Sequence, residues 1–297
     1  MGEIIMVNYN LFGEIIEERE LLRDKFIEPP FSILDSKSGK WVRRKRKWLS
    51  LGIKSECGRN AKFSNMKNWS DEKREQGLLS GNKLASDTSI FDPALCEVLY
   101  KWFVPNNGTI LDPFAGGSVR GIVANYLGYK YTGIDIRPEQ IESNYEQSYK
   151  ILEQYNQPCW LCGDSNKVLD NLDMEFDFVF SCPPYADLEV YSDLEGDISN
   201  MKYQDFLVAY KSIISKSCKW LKKDGFACFV VGEVRDKEGN YIGLVPDTIN
   251  AFKDIGMKFY NEAIYLQQLG SAAVRANGNM ASKKLVKVHQ NILVFKK

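Results

Sequence analysis

Thr109-Ile110-Leu111-Asp112-Pro113-Phe114-Ala115-Gly116-Gly117-Ser118 is the stretch on which the fold turns. A short β-favouring run ends in an acid. A proline and two glycines then stop it, and Val119 to Leu127 follows with helical character up to Gly128. A strand that passes through a glycine turn into a helix puts unpaired N–H groups at the carboxyl edge of a sheet. In open α/β proteins ligands bind at that edge. The spacing is not G-x-G-x-x-G, so a dinucleotide is not indicated. An adenosine ligand carrying a carboxylate fits the looser turn better.

Three more strands end in ligand-type residues. Tyr129 to Ile136 closes on Gly133-Ile134-Asp135, placing an acid about twenty residues past the glycines, where a carboxylate takes ribose hydroxyls. Trp160-Leu161-Cys162 leads into Gly163-Asp164-Ser165. Phe176 to Phe180 reads as a buried strand and ends in Ser181-Cys182-Pro183-Pro184-Tyr185. Two prolines cannot donate ladder hydrogen bonds, so the chain leaves the sheet there as a stiff turn with free carbonyls and an aromatic face. One such turn is weak; four in series are strong.

The remaining pattern completes an α/β architecture. Pro93 to Phe103 reads as a helix with Asp92 as its cap, and Pro138 to Tyr155 as the helix after the second strand. Tyr203 to Leu221 reads as a long amphipathic helix stopped by Lys222-Lys223-Asp224-Gly225. Phe226 to Gly232, Glu262 to Gln268 and His289 to Phe295 read as strands, with a helix from Pro246 to Asp254. Strands alternating with helices predict a Rossmann-like, mostly parallel sheet of seven strands. The last two strands have no helical pattern between them and are expected to pair antiparallel. Residues 89–297 form the expected main domain. Residues 1–88 form an extension: a helical pattern (Leu11, Ile15, Ile16, Leu21, Leu22) up to Pro29-Pro30, then an irregular basic arm.

The order of strand ends resembles the class I S-adenosylmethionine-dependent methyltransferases, and specifically the DNA methyltransferases that methylate amino groups. The chain looks similar to phage- and prophage-encoded members through Asp112 to Gly121 and Ser181 to Asp187. The resemblance implies S-adenosylmethionine as cofactor. It assigns the methionine part to Asp112, Pro113, Phe114, Ala115, Gly116, Gly117 and Ser118, with Phe91 an apolar contact. It assigns the ribose to Asp135, adenine packing to Ile136, and the adenine amine to Asp164 with Ser165 beside it. Ser181, Cys182, Pro183, Pro184 and Tyr185 would form the catalytic turn: the Pro183 carbonyl accepts from the exocyclic amine, and Tyr185 stacks on a flipped base. The implied product is N6-methyladenine or N4-methylcytosine. Cys182 stands where the family usually has Asp, Asn or Ser, so the turn does not choose between the bases. Attack by Cys182 itself on cytosine is a minor alternative. RNA, a glutamine side chain, and a non-catalytic DNA regulator that binds the cofactor are the other readings.

Composition is that of an ordinary soluble globular protein. Over 297 residues the chain is 44% hydrophobic and 26% charged with zero formal net charge. No apolar run spans a bilayer and no leader pattern opens the sequence, so a cytoplasmic protein is expected. Cys159-x-x-Cys162 lacks a second ligand pair, so no metal is expected, and both cysteines read as strand-core residues. The only histidine is His289. Charge is local: Lys37 to Lys62 is strongly basic and carries Trp41 and Trp48 among its cations. Arg43, Arg44, Lys45, Arg46 and Lys47 are candidate contacts to double-stranded DNA, as are Arg275, Lys283, Lys284 and Lys287 in the loop 269–288. Monomer and homodimer both remain open.

Overall fold

The computed structural model describes residues 22–54, 91–185, 192–267, 269 and 272–297. Two compact units are present, Met1–Pro30 and Phe31–Lys297. In the first, Leu22–Phe26 forms a short helix, α1. The rest of the expected amino-terminal helix lies outside the described residues.

The second unit is built on one eight-stranded sheet. Its strands are β1 (Ile33–Asp35), β2 (Thr109–Asp112), β3 (Lys130–Asp135), β4 (Cys159–Cys162), β5 (Phe176–Ser181), β6 (Leu221–Val231), β7 (Lys258–Leu266) and β8 (His289–Lys296). Across the sheet they run β1-β7-β8-β6-β5-β2-β3-β4. Only β8 runs against its neighbours, β6 and β7; every other pair is parallel. This is the expected Rossmann-like sheet with its antiparallel carboxyl-terminal pair, plus one extra edge strand. Chain order reverses between β2 and β5, and such a switch point opens a crevice at the carboxyl ends of the strands.

Helices α2 (Gly39–Leu49), α3 (Pro93–Phe103) and α4 (Val119–Tyr126) pack on one another, and α5 (Pro138–Ile151) packs on β3 and β4. Helices α6 (Ser165–Val168), α7 (Tyr203–Lys219) and α8 (Leu244–Asp254) form a second set. The main core lies between that set and the sheet, where Phe206, Tyr210, Phe229, Phe252 and Phe295 are fully buried. Local signals account for several boundaries. Asp92 caps α3 by accepting from Ala94 N, with Pro93 as the first helical residue. Gly128, at φ 86°, ends the α4 segment in the left-handed region.

Four expectations change. First, the basic arm is not irregular over its described part. Residues 39–49 are helix α2, capped by Ser38, and residues 33–35 pair in parallel with β7. Trp41 and Trp48 face inward: Trp41 Nε1 donates to Asp92 (3.1 Å) and Trp48 Nε1 to Glu97 (2.7 Å). Their spacing of seven places both on one side of the helix, which buries them against α3. Second, Lys222 to Gly225 does not stop the long helix. It ends at Lys219, and β6 begins at Leu221 with Asp224 at φ 61° inside it. Third, the long connection before β8 contains a helix, α9 (Ala272–Ala281). Fourth, Cys159 and Cys162 are exposed, because β4 is an edge strand and the two residues between them, Trp160 and Leu161, take the inward positions.

Candidate functional site

Asp112, at the end of β2, is fully buried and is a hub of hydrogen bonds. Arg120 Nε donates to it at 2.5 Å, Tyr131 Oη at 2.7 Å, Ser181 Oγ at 2.6 Å and Phe114 N at 3.1 Å. Its carboxylate is therefore committed within the protein. The same Arg120 donates to the carbonyls of Phe114 (2.5 Å) and Ala115 (2.8 Å), so one guanidinium holds the turn that follows β2. Burial pulls the guanidinium pKa down, but attraction to Asp112 more than offsets it and the value rises. Ser181 ends β5, so its bond to Asp112 ties the two strands that flank the switch point. Phe91 covers Arg120, with its ring centroid 4.9 Å from the guanidinium carbon, and meets Phe180 edge-on.

The glycine turn is open on its outer side. A Cβ added at Gly116 or Gly117 would meet nothing within 4 Å. Gly116 adopts φ 52°, a left-handed conformation that side chains resist. Its N–H donates to Asp135 Oδ2 at 2.9 Å, and its carbonyl accepts from Asn144 at 2.8 Å. Asn144 is set by Gln140, and Gln140 by Arg137, all three buried. The N–H of Arg137 donates to Asp135 Oδ1 at 2.9 Å. Burial raises the pKa of Asp135, against the lowering pull of Arg137 and the two backbone donors. Next to the turn, Ser118 Oγ is buried with no hydrogen-bond partner among the described residues.

Beyond the end of β4, Asp164 caps α6 through Asn166 N, and Ser165 Oγ donates to the Pro113 carbonyl at 2.6 Å. The loop between β5 and α7, acidic through Asp193, Glu195 and Asp197, returns to this point. A Cβ at Gly196 would lie 3.3 Å from Asp164 Oδ2 and 3.5 Å from Ile136 Cδ1. Ile136 and Asp164 thus lie together, with Gly196 close against both. Residues 186–191 of the loop lie outside the described residues.

The turn after β5 is anchored at both ends. Ser181 is held by Asp112, Pro183 is buried, and the Tyr185 hydroxyl accepts from Gly232 N at 3.1 Å and from Gln290 Nε2 at 2.6 Å. Gln290 is itself set by Gln267. The Tyr185 ring is therefore fixed by the end of β6 and the start of β8, two strands that meet at this edge only because β8 is antiparallel. Cys182 is half-buried and lies near Arg120 and Tyr210.

The structure thus brings the four expected strand ends to one edge and joins Asp112 to Ser181 and Asp135 to the glycine turn. It spends two expected ligands inward, Asp112 and the Ser181 hydroxyl. Sequence reasoning missed Arg120, Tyr131, Arg137, Gln140, Asn144 and Gln290. The only signal in the sequence was polar residues at core-facing positions of helices and strands. The basic residues divide. On α2, Arg44 bonds Glu97 at 2.7 Å and Lys45 pairs with Asp92 at 3.3 Å, whereas Arg43, Arg46 and Lys47 are exposed. Arg275 and Lys283 are exposed, while Lys284 and Lys287 are half-buried. Ser89 and Ile90, which lead into Phe91, lie outside the described residues, as do Arg59 and Lys62. Among the described residues no group of His, Cys, Asp or Glu is placed to hold a metal, and no helix is long and apolar enough to cross a membrane.

Residues 22–146, which include α2, the glycine turn and Asp135, match the DNA methylase family of N6 and N4 type. The chain resembles the DNA methylases. The match ends before the Pro-Pro-Tyr turn. A release factor glutamine methyltransferase of Fusobacterium nucleatum is 29% identical over 162 residues, 52% of this chain and 44% of that protein. The chain thus spans less than half the length of that curated relative. Among solved structures, TrmN from Thermus thermophilus shares 14% identity at a TM-score of 0.48, covering 71% of this chain and 50% of that one. The magnesium protoporphyrin IX methyltransferase of Synechocystis, with bound SAM, shares 12% identity at a TM-score of 0.46, covering 78% and 92%.

Proposed function

We propose that the chain is a DNA amino-methyltransferase that uses S-adenosylmethionine and acts on adenine N6 or cytosine N4. One observation carries the reading. A rigid Pro-Pro-Tyr turn, fixed through Ser181–Asp112 and Tyr185–Gln290, stands at the same sheet edge as an open glycine turn with an acid beside it.

The residues present fit the cofactor. The open space beside Gly116 and Gly117 leaves room for its amino-acid end, and the unpartnered Ser118 hydroxyl suits a carboxylate. Asp135 keeps lone pairs for ribose hydroxyls, and neighbouring Ile136 and Asp164 offer an apolar face and an acceptor that suit a flat base with an amine. When bound, the sulfonium supplies a reactive methyl group.

The protein supplies position. Tyr185 offers a ring face held from behind, so a flipped base stacks without ordering the ring first. The Pro183 carbonyl accepts one amine hydrogen and aims the nitrogen lone pair. The amine needs no strong base, and the chain carries a single histidine, His289. Arg120, through Asp112 and Ser181, keeps the cofactor turn and the base turn in one register. Cys182 orients and does not attack. The exposed cations of α2 and of the segment before β8 take phosphates.

The test is transfer of tritiated methyl groups to duplex DNA, with hydrolysis to nucleosides and mass spectrometry to identify the base. Labelling of RNA or protein but never of DNA would defeat the reading. A second reading, methylation of a glutamine side chain, is favoured by the likeness to the release factor methyltransferase, since a planar amide suits the same turn. A released, labelled peptide in the same assay would select it.

A further inference from the structure

Beside Tyr185 the chain builds a feature that the cofactor and the base leave unused. Past Gly232, which bonds Tyr185, residues Val234 to Ile242 fold back as a small hairpin. Its rungs are the Arg235–Tyr241 bridge, Asp236 N to the Asn240 carbonyl at 2.9 Å, and Ile242 N to the Val234 carbonyl at 3.0 Å. The hairpin is rigid for local reasons. Asp236 accepts from Gly239 N and Asn240 N, and Arg235 Nη1 donates to the Gly239 carbonyl at 2.6 Å. The Arg235 guanidinium lies 3.9 Å from the Tyr241 ring centroid, and Lys287 Nζ lies 5.8 Å from it. A Cβ at Gly239 would run into the end of the Lys284 side chain, so that lysine rests on the hairpin tip.

Two of the three acids nearby are turned to other work, and the third, Glu238, is exposed at the hairpin tip next to the exposed Lys237. Glu233 accepts from Gly243 N and Leu244 N at the start of α8, and Asp236 closes the hairpin turn. Arg235 and Lys287 therefore meet at one half-exposed tyrosine, Lys284 lies at the hairpin tip, and Lys287 stands three residues before Gln290, which holds Tyr185. Aromatic rings hold cations at set positions by their negative faces. A row of cations at set positions beside a base pocket complements a phosphate backbone.

We propose that the hairpin 234–242 and the segment 284–287 form a phosphate clamp for the DNA strand next to the target base, with Tyr241 positioning Arg235 and Lys287. This rests on the reading of the chain as a DNA methyltransferase. It gives Arg235 and Tyr241 a role in holding DNA, and it gives Lys284 and Lys287 a place in the fold.

The test uses the full chain and fluorescein-labelled duplex DNA of mixed sequence, with affinity measured over a series of salt concentrations. Each phosphate that a variant no longer neutralises lowers the slope of log K against log salt by about 0.9, so Lys284→Gln with Lys287→Gln is expected to lower it by about 1.8. Tyr241→Ala is expected to weaken binding about tenfold, and Tyr241→Phe, which keeps the ring, to restore it. Cofactor affinity and the melting temperature report on folding in each variant, and both are expected to stay at wild-type values. If wild-type protein transfers methyl groups to DNA while these folded variants keep its slope and affinity, the clamp is refuted and the methyltransferase reading stands. If wild-type protein takes up cofactor but neither binds nor labels DNA, the methyltransferase reading fails and the clamp with it.

Discussion

Arg120→Met tests whether the buried hub is what holds the switch point together. The variant keeps an unbranched stem about as long as the aliphatic part of arginine and removes the charged guanidinium. Asp112 would retain Tyr131, Ser181 and Phe114 N as donors but lose its cation, and the Phe114 and Ala115 carbonyls would lose theirs. Both members of the pair are buried, with side-chain exposures of 7% and 0%. Removing one partner from such a pair costs about 3–5 kcal/mol, since the remaining charge stays desolvated. With a urea slope of roughly 3 kcal/mol per molar, the unfolding midpoint should fall by about 1–1.7 M. Adding Asp112→Asn removes the stranded charge, so the double variant should lose well under the sum of the two single losses. The assay is equilibrium urea unfolding followed by tryptophan fluorescence. A midpoint shift for Arg120→Met under about 0.3 M, or strict additivity in the double variant, would refute the hub as a coupled unit.

Four other outcomes follow. Burial raises the Asp135 pKa, so the free chain loses stability as pH rises through and above the ordinary carboxylate range. Ribose hydroxyls donate to the ionised form, so cofactor affinity should rise over that same interval, and Asp135→Asn should flatten the profile in calorimetric titrations. Tyr185→Phe loses bonds from Gly232 N and Gln290 but keeps the ring, so methyl transfer should fall about tenfold. Tyr185→Ala removes the ring and should abolish transfer; equal rates for the two would show that stacking is not its role. Trp48→Phe keeps packing on Tyr126 but loses the bond to Glu97, at about 1–2 kcal/mol, and should speed tryptic cleavage at Arg43 to Lys47. Cys182→Ser should keep transfer within about tenfold and give no covalent adduct with 5-fluorocytosine DNA; a trapped adduct with the unaltered protein would restore Cys182 as nucleophile.

The sheet was legible because its signals are local. Asp92-Pro93, Gly128, Pro138 and the paired prolines act within a few residues, and β2, α3 and β5 lie within a residue of where the pattern put them. The basic arm was misread for an equally physical reason. Cations at Arg43 to Lys47 look solvated in sequence, whereas Trp41 and Trp48 commit one side of that helix to Asp92 and Glu97, about fifty residues away. The helix within the long connection before β8 carries a glycine and two asparagines, so its propensity alone gave no signal.

Sequence by itself determined that four strands would end in ligand-type residues, since prolines, glycines and acids act on the backbone where they stand. It could not say which of those residues face a ligand. Asp112 looked like a cofactor contact, and the fold spends its carboxylate on Arg120, Tyr131 and Ser181. Tyr185 looked like a stacking ring and nothing more, and the antiparallel return of β8 brings Gln290 to its hydroxyl from 105 residues away. Hydrogen-bond partners that distant are set by strand order, and strand order is a property of the folded sheet alone.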